Sequence, residues 1–383
     1  MDRCDVVVVG GGPAGSSCAR RLHDAGLGVI VLDQAVFPRD KVCAGWITPQ
    51  AIDELELDCA DYQRGRTLQP ITGFRTGVIG SSEVVDTAYD WPVSYGIRRC
   101  EFDHYLLQRS GADLRLGTPL SSIARDGTGW IINDSIKADM LVGAGGHLCP
   151  VARWLNPTVA APPPLVVARE TEFPVEPGDA ACWPAAPGVP ELYFCRDLSG
   201  YGWCFRKGQH INIGFGLLGR RSLTKAMAEF VAFLRAQHRI PDDAPMRWRG
   251  HAYLVADARR RRAIGDGVLL IGDAAGVAYP ESGEGIRPAI ESGLLAASTL
   301  IAAKRSYSRE RLELYERTLQ RRGGGQRGRR WLARAIMPAL TATLLPWLLG
   351  TRWFTRHLVL DRWLLHARDP ALGAHESARK VEA

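Results

Sequence analysis

Gly10, Gly12 and Gly15 stand at G-x-G-x-x-G spacing, and the chemistry this spacing serves is the cradling of a pyrophosphate. Each glycine has its own use. Gly10 permits a tight turn, Gly12 lets a pyrophosphate approach the backbone, and Gly15 lets a helix pack close to a sheet. Pro13 and Ala14 open that helix, whose N-terminal N–H groups and partial positive charge face the phosphates. Asp33 lies 18 residues beyond Gly15, placed to accept hydrogen bonds from a ribose. The elements that must position these residues are legible around them. Val6 to Val9 form an unbroken β-branched run, as a strand buried on both faces should. A helix fits Pro13 to Ala25, with Gly26 where a C-terminal cap belongs, and a second strand runs from Val29 to Leu32. Strand, helix, second strand and terminal acid in register predict a Rossmann-type α/β fold that binds a dinucleotide.

A second stretch, Gly267 to Gly276, reads GVLLIGDAAG. Val268 to Ile271 predict another buried strand, ending at Gly272-Asp273, and a helix fits Gly285 to Lys304 with Pro288 in its first turn. A nicotinamide site alone needs no second dinucleotide motif, so the pair points to FAD. This stretch resembles the second cofactor contact of two-motif flavoproteins. The resemblance implies that Asp273 binds the ribityl chain. It also implies that backbone N–H groups near Glu284, Gly285 and Ile286 face the pyrimidine end of the flavin. A helix N-terminus there favours the anionic reduced flavin.

With both motifs in place the chain resembles the geranylgeranyl reductase family, within the para-hydroxybenzoate hydroxylase-like flavoproteins. Further segments carry the likeness. In FPRDKVCAGWITP, Pro38, Lys41, Cys43 and Gly45 match the family's Pro-x-x-Lys-x-Cys-Gly-Gly, with Ala44 in place of the first Gly. That loop lies against the flavin in the family, with Cys43 near the reaction face. In SYGIRRCEFDHYLLQR, Arg99, Phe102, Asp103 and Leu106 match, which implies that Arg99 approaches FAD. In SGYGWCFRKG, Tyr201, Trp203 and Phe205 match Tyr-x-Trp-x-Phe-Pro, while Arg206 replaces Pro. These aromatics alternate along a strand and would line a substrate cavity on one face. Related hydroxylases carry Ala-Asp-Gly where this chain has Gly145-Gly146, although Arg153 is kept. The missing carboxylate makes an external reductant as good an expectation as NAD(P)H. For His147 and Cys149, local additions, a satisfied buried histidine is the default.

The resemblance implies a discontinuous FAD-binding domain over 1–60, 96–160 and 256–305. An antiparallel-sheet substrate domain takes 61–95 and 161–255, and 306–383 form a helical C-terminal tail. Pro162-Pro163-Pro164 marks a crossing between domains, and Arg259 to Arg262 form a basic connection. The net charge of +7 is uneven: residues 317–383 alone carry +9. Arg317, Arg321, Arg322, Arg327, Arg329, Arg330 and Arg334 crowd into 18 positions. Trp331, Trp347, Trp353 and Trp363 punctuate the region, which holds an uncharged stretch, 335–351, broken by Pro338 and Pro346. Such a tail suits either the headgroup boundary of a membrane or a cap over the substrate domain. No recognition fold accompanies the charge, so nucleic acid is not an expected partner. Nine scattered Cys without CxxC spacing, and a start without a leader pattern, fit free thiols in a reducing cytoplasm, with the tail peripheral on the membrane's inner face.

Three functions fit these residues. The first is reduction of carbon–carbon double bonds in an isoprenoid or other apolar substrate. Cys43, Tyr201 or a water would supply the proton, and the Tyr201/Trp203 face would hold the substrate. The second is a flavin monooxygenase of an aromatic or unsaturated small molecule, and the third a non-catalytic electron carrier. Oxygen consumption separates the second from the first, and a sealed flavin face would mark the third.

Overall fold

The computed structural model describes residues 1–157, 165–176, 178, 183–218, 222–254, 262–279, 282–321 and 347–370. The β-branched run at the start forms the strand Asp2–Val9, whose Val6, Val7 and Val8 are fully buried. It pairs in parallel with Val29–Asp33 on one side and Ile136–Gly143 on the other. Asp113–Leu116 and Val268–Leu270 extend the parallel sheet at its two edges, and antiparallel strands complete eight. Residues from three separated stretches of chain therefore build one sheet.

Two helices cross on one face of this sheet, Pro13–Asp24 and Ile286–Ala302. Their approach is close because Gly293 has no side chain: a Cβ there would lie 2.3 Å from the Ala14 carbonyl oxygen. Elements expected from the sequence shift by a residue or two. The first helix stops at Asp24 and the second strand takes in Asp33. The late helix spans Ile286–Ala302.

The other large sheet has seven strands, drawn from residues 73–88 and 165–254. It is antiparallel except where Glu191–Phe194 pairs in parallel with Gly73–Val78. One face packs on the helix Leu223–Ala236, with Ile211, Ile213 and Phe215 against Met227, Phe230 and Leu234. The opposite face looks toward the parallel sheet. A small sheet of Trp46–Ile47, Ser94–Ile97 and Leu68–Ile71 joins the two.

In the tail, residues 347–370 fold back onto this assembly. Leu349, Val359, Leu360, Leu364 and Leu365 pack with Trp46, Phe74, Trp203 and Phe205. Residues Thr355–Leu364 wind with π-type hydrogen bonding. This part of the tail is a cap. The proline triplet 162–164, Arg259 to Arg261, the arginines from Arg322 to Arg334, Trp331 and residues 335–346 lie outside the described residues. Among the described residues no helix is long and apolar enough to cross a membrane.

Candidate active site

A cavity of about 850 Å³ opens at the C-terminal ends of the parallel strands and reaches the inner face of the seven-stranded sheet. Ligands of open α/β sheets bind at such strand ends. Gly10, Gly12, Pro13 and Ala14 line it. Gly10 takes φ +118°, and a Cβ there would sit 2.4 Å from the Ala144 carbonyl oxygen. At Gly12 the nearest atom to an added Cβ is Nη2 of Arg39, 3.6 Å away, so its backbone faces open space. The helix beginning at Pro13 has no side-chain cap and no acid in its first turn. Its orphan N–H groups are left to an anion. Gly15 stays out of the cavity. A Cβ there would lie 1.9 Å from the Gly10 carbonyl oxygen, so it is the turn itself that demands glycine. Asp33 lines the cavity while bracing the same turn: Oδ2 accepts the Gly11 N–H at 2.7 Å and Oδ1 the Ala35 N–H at 2.8 Å.

Asp273 is half-buried at the cavity with Lys41, Arg99 and His147 around it. Burial pushes its carboxyl above the usual range, and the cations oppose that shift. Burial and then the Arg99 charge lower the Lys41 ammonium to about 8. Its Nζ stands 3.5 Å from Nδ1 of His251, which burial and Lys41 push down to about 3. Arg99 forms a bidentate pair with buried Asp103, at 2.7 and 2.8 Å, and also lines the cavity. His147 is half-buried at the rim, its ring edge-on to His251 at 4.9 Å, which replaces the expected core position. Gly145 and Gly146 line the cavity. Gly272, Gly283, Glu284, Gly285 and Ile286 close this side, with Gly285 at the start of the late helix. Burial raises the Glu284 carboxyl, whose Oε1 accepts the Arg287 N–H at 3.1 Å.

The far wall comes from the strand Gly200–Lys207. Tyr201 and Trp203 line the cavity, while Gly202 and Cys204 turn to the opposite helix. Phe205 lies deeper, edge-on to Trp46 at 6.1 Å. The Tyr201 hydroxyl donates to the Ser282 carbonyl at 2.7 Å, and burial raises its pKa. Trp203 Nε1 donates to Asn212 Oδ1 at 2.6 Å. Half-buried Cys43 lines the cavity, its Sγ accepting from the Gly45 N–H at 3.4 Å. The structure thus gathers Cys43, Tyr201 and Trp203 into the space that holds both glycine turns.

The residues fit FAD: the uncapped start of the first helix faces the cavity, Gly12 leaves an open cradle, and half-buried Asp273 stands between the two glycine turns. A family model described as an FAD binding domain matches residues 3–324. The chain belongs to that family. Within it the chain is a geranylgeranyl reductase-type FAD-dependent oxidoreductase. It is 32% identical over 333 residues to a menaquinone reductase of Mycobacterium tuberculosis, covering 78% of this chain and 77% of that one. It is 29% identical to a digeranylgeranylglycerophospholipid reductase of Methanothrix thermoacetophila, over 79% of this chain and 78% of that one. A geranylgeranyl bacteriochlorophyll reductase-like protein of Thermoplasma acidophilum superposes with TM-score 0.78 at 21% identity, over 100% of this chain and 99% of that one. A point mutant of halogenase PltM in complex with FAD superposes with TM-score 0.66 at 19% identity, over 82% of this chain and 73% of that one. These two structures show the shared fold.

Sequence reasoning missed several lining residues of this flavoprotein: Arg39, Trp46, His251 and Trp363. It also missed four polar residues beneath the Cys43 loop, Glu170, Glu172, Lys207 and Asn212. Arg39 lay in plain view two positions before Lys41. Asn212 left one trace, a lone amide in the apolar strand sequence INIGFGLL.

Proposed function

We propose that the chain reduces carbon–carbon double bonds of a long isoprenoid or comparably apolar lipid, using FAD recharged by NAD(P)H or an external reductant. One observation carries this reading. The cavity continues past the cofactor cradle to an apolar wall of Trp46, Phe194, Leu198, Trp203, Leu217 and Trp363. At about 0.8 kcal/mol per buried carbon, each five-carbon unit taken into that wall gains roughly 4 kcal/mol. The names of the relatives, a menaquinone reductase and a digeranylgeranylglycerophospholipid reductase, support a lipid substrate.

Reduced FAD supplies the hydride, and the protein binds, orients, excludes water and supplies the proton. The Gly10–Ala14 turn, Asp33, Lys41, Arg99, Gly272, Asp273, Gly285 and Ile286 hold the cofactor. Trp203 and Tyr201 orient the alkene. Of the two candidate side chains, Tyr201 has its hydroxyl hydrogen engaged by the Ser282 carbonyl, so the Cys43 thiol is the better placed of the two to donate. The test is product analysis under anaerobic, reducing conditions with geranylgeraniol. The product should gain two hydrogens per reduced bond. Cys43→Ala should keep its flavin and lose about 10²-fold in turnover, as removal of a general acid does. An unreduced alkene, or full turnover by the variant, contradicts the reading.

The same proposal places the protein at a lipid surface. Trp347 and Trp353 are 68% and 67% exposed, with exposed Arg352 and Arg356 nearby. Basic residues near an anionic leaflet contribute about 1 kcal/mol each. The double variant Trp347→Ser/Trp353→Ser should lose at least fivefold in cosedimentation with phosphatidylglycerol vesicles. Unchanged cosedimentation would remove this surface from the account.

A further inference from the structure

The Cys43–Gly45 loop is underpinned by polar side chains that the chemistry above does not use. Lys207 is fully buried, and its Nζ donates to the carbonyls of Ala44 and Ile97, both at 2.9 Å, and pairs with Glu172 at 2.6 Å. Asn212 is also fully buried. Its Nδ2 faces three acceptors: the Cys43 carbonyl at 3.3 Å, and Glu170 and Glu172 at 3.1 Å each. Its Oδ1 holds the Trp203 indole N–H. The Glu170 carboxyl faces the backbone N–H of Cys43. The loop is thus gripped at both polar groups of the Cys43 backbone and at the next carbonyl. No side chain fits at Gly45, φ +72°, where a Cβ would lie 2.4 Å from the Ile97 carbonyl oxygen and 2.6 Å from Lys207 Nζ.

We infer that Asn212, with Glu170, Glu172 and Lys207, is a positioning clamp that fixes the Cys43 loop and the Trp203 indole relative to each other. Burying such ions is costly before they are paired. The cost is incurred on a sheet face where Phe205 and Ala168 pack without it. A satisfied buried network fixes one geometry, whereas apolar packing tolerates several. Asn212 has two N–H hydrogens for its three acceptors, so the charge state of the carboxylates decides which it serves. The charged groups facing Glu170 are Lys207 from the next strand but one, Glu172 on its own strand and Arg249, its cross-strand partner on the neighbouring strand; Arg98 faces Glu172. Burial raises Glu170 to about 7 against the opposing Lys207 charge. At Glu172 burial acts the same way, but Lys207, Asn212 and Arg98 outweigh it and lower the pKa. Glu170 therefore gains its charge near neutrality, and the grip on Cys43 changes with it.

This clamp rests on Cys43 as the proton donor, so the test reads Cys43 directly. The holoprotein is treated with iodoacetamide between pH 6 and pH 9, and alkylation of each cysteine is followed by peptide mass spectrometry. Asn212→Ala should change the Cys43 rate at least fivefold, leave Cys59 and Cys100 unchanged, retain flavin, and lower kcat with little change in KM. Glu170→Gln, nearly isosteric, guards against misfolding of the first variant. It should remove the inflection near neutrality from the Cys43 profile. Cys43 kinetics and pH profile identical to the parent in both variants would overturn the clamp. If Cys43→Ala keeps full turnover while the Asn212 variant still shifts alkylation, the proton-donor reading falls and the clamp stands.

Discussion

Asp273→Ala should purify almost colourless. The carboxyl lines the cavity between the two glycine turns, and desolvation raises its pKa against the pull of Lys41, Arg99 and His147. A carboxylate held at that desolvation cost needs hydrogen-bond donors, and ribityl hydroxyls are the donors the account assigns to it. A hydrogen bond to a charged acceptor is worth about 1.5–3 kcal/mol. Losing two of them weakens FAD binding by roughly 10²- to 10⁴-fold. The variant also removes a negative charge facing Lys41, while Arg99 keeps its pair with Asp103. Asp273→Asn keeps the volume and one acceptor and should hold an intermediate amount. The ratio of visible to ultraviolet absorbance after gel filtration measures this. A fully yellow Asp273→Ala protein would remove the assignment.

Gly214→Ala should do the reverse, keeping the cofactor and losing the reaction. Gly214 pairs with Trp203 across neighbouring strands, and the indole lies over it. An added Cβ would come within 2.2 Å of Trp203 Cζ2 and 2.8 Å of the Arg169 carbonyl oxygen. The backbone cannot yield as easily as the indole, so Trp203 swings and breaks its bond to Asn212. Overpacking of this kind costs about 1–3 kcal/mol in stability. Turnover should fall at least tenfold, with flavin content unchanged because Gly214 does not border the cavity. Gly216 is the control. It borders the cavity, but a Cβ there meets Trp203 only at 3.9 Å and Ala168 at 4.0 Å, so Gly216→Ala should keep the Trp203–Asn212 bond and stay within about threefold of the parent. Equal turnover in the Gly214 variant and the parent would show that the indole's placement is irrelevant.

What could be read from the residues was whatever repeats at a short, fixed spacing. Val6–Val9, Gly10, Gly12, Gly15 and Asp33 specify a strand, a turn and a helix within a few dozen residues, because each demand is local backbone geometry. The Tyr201/Trp203 alternation likewise marked one face of a strand. The tail resisted this reading for a definite reason. Its buried positions include Thr355, Leu360 and Leu365, and also Val359 and Leu364, which recur at every fifth residue. That is the spacing of π-winding, so a search for a 3.6-residue stripe finds none. The clamp resisted for another reason. Glu170 and Glu172 alternate like a solvated strand edge, and Lys207 looks like a surface lysine before a turn. Only the pairing of Glu172 with Asn212, and of Asn212 with Phe205, puts all four under one loop. Register between distant strands is long-range information that a single sequence does not spell out.

Anaerobic photoreduction followed by addition of geranylgeraniol in detergent bears most directly on the central claim. The account predicts that the bleached flavin turns yellow again without oxygen, in proportion to the double bonds consumed. Flavin that stays bleached beside the lipid and recovers its colour only when air is admitted would contradict it.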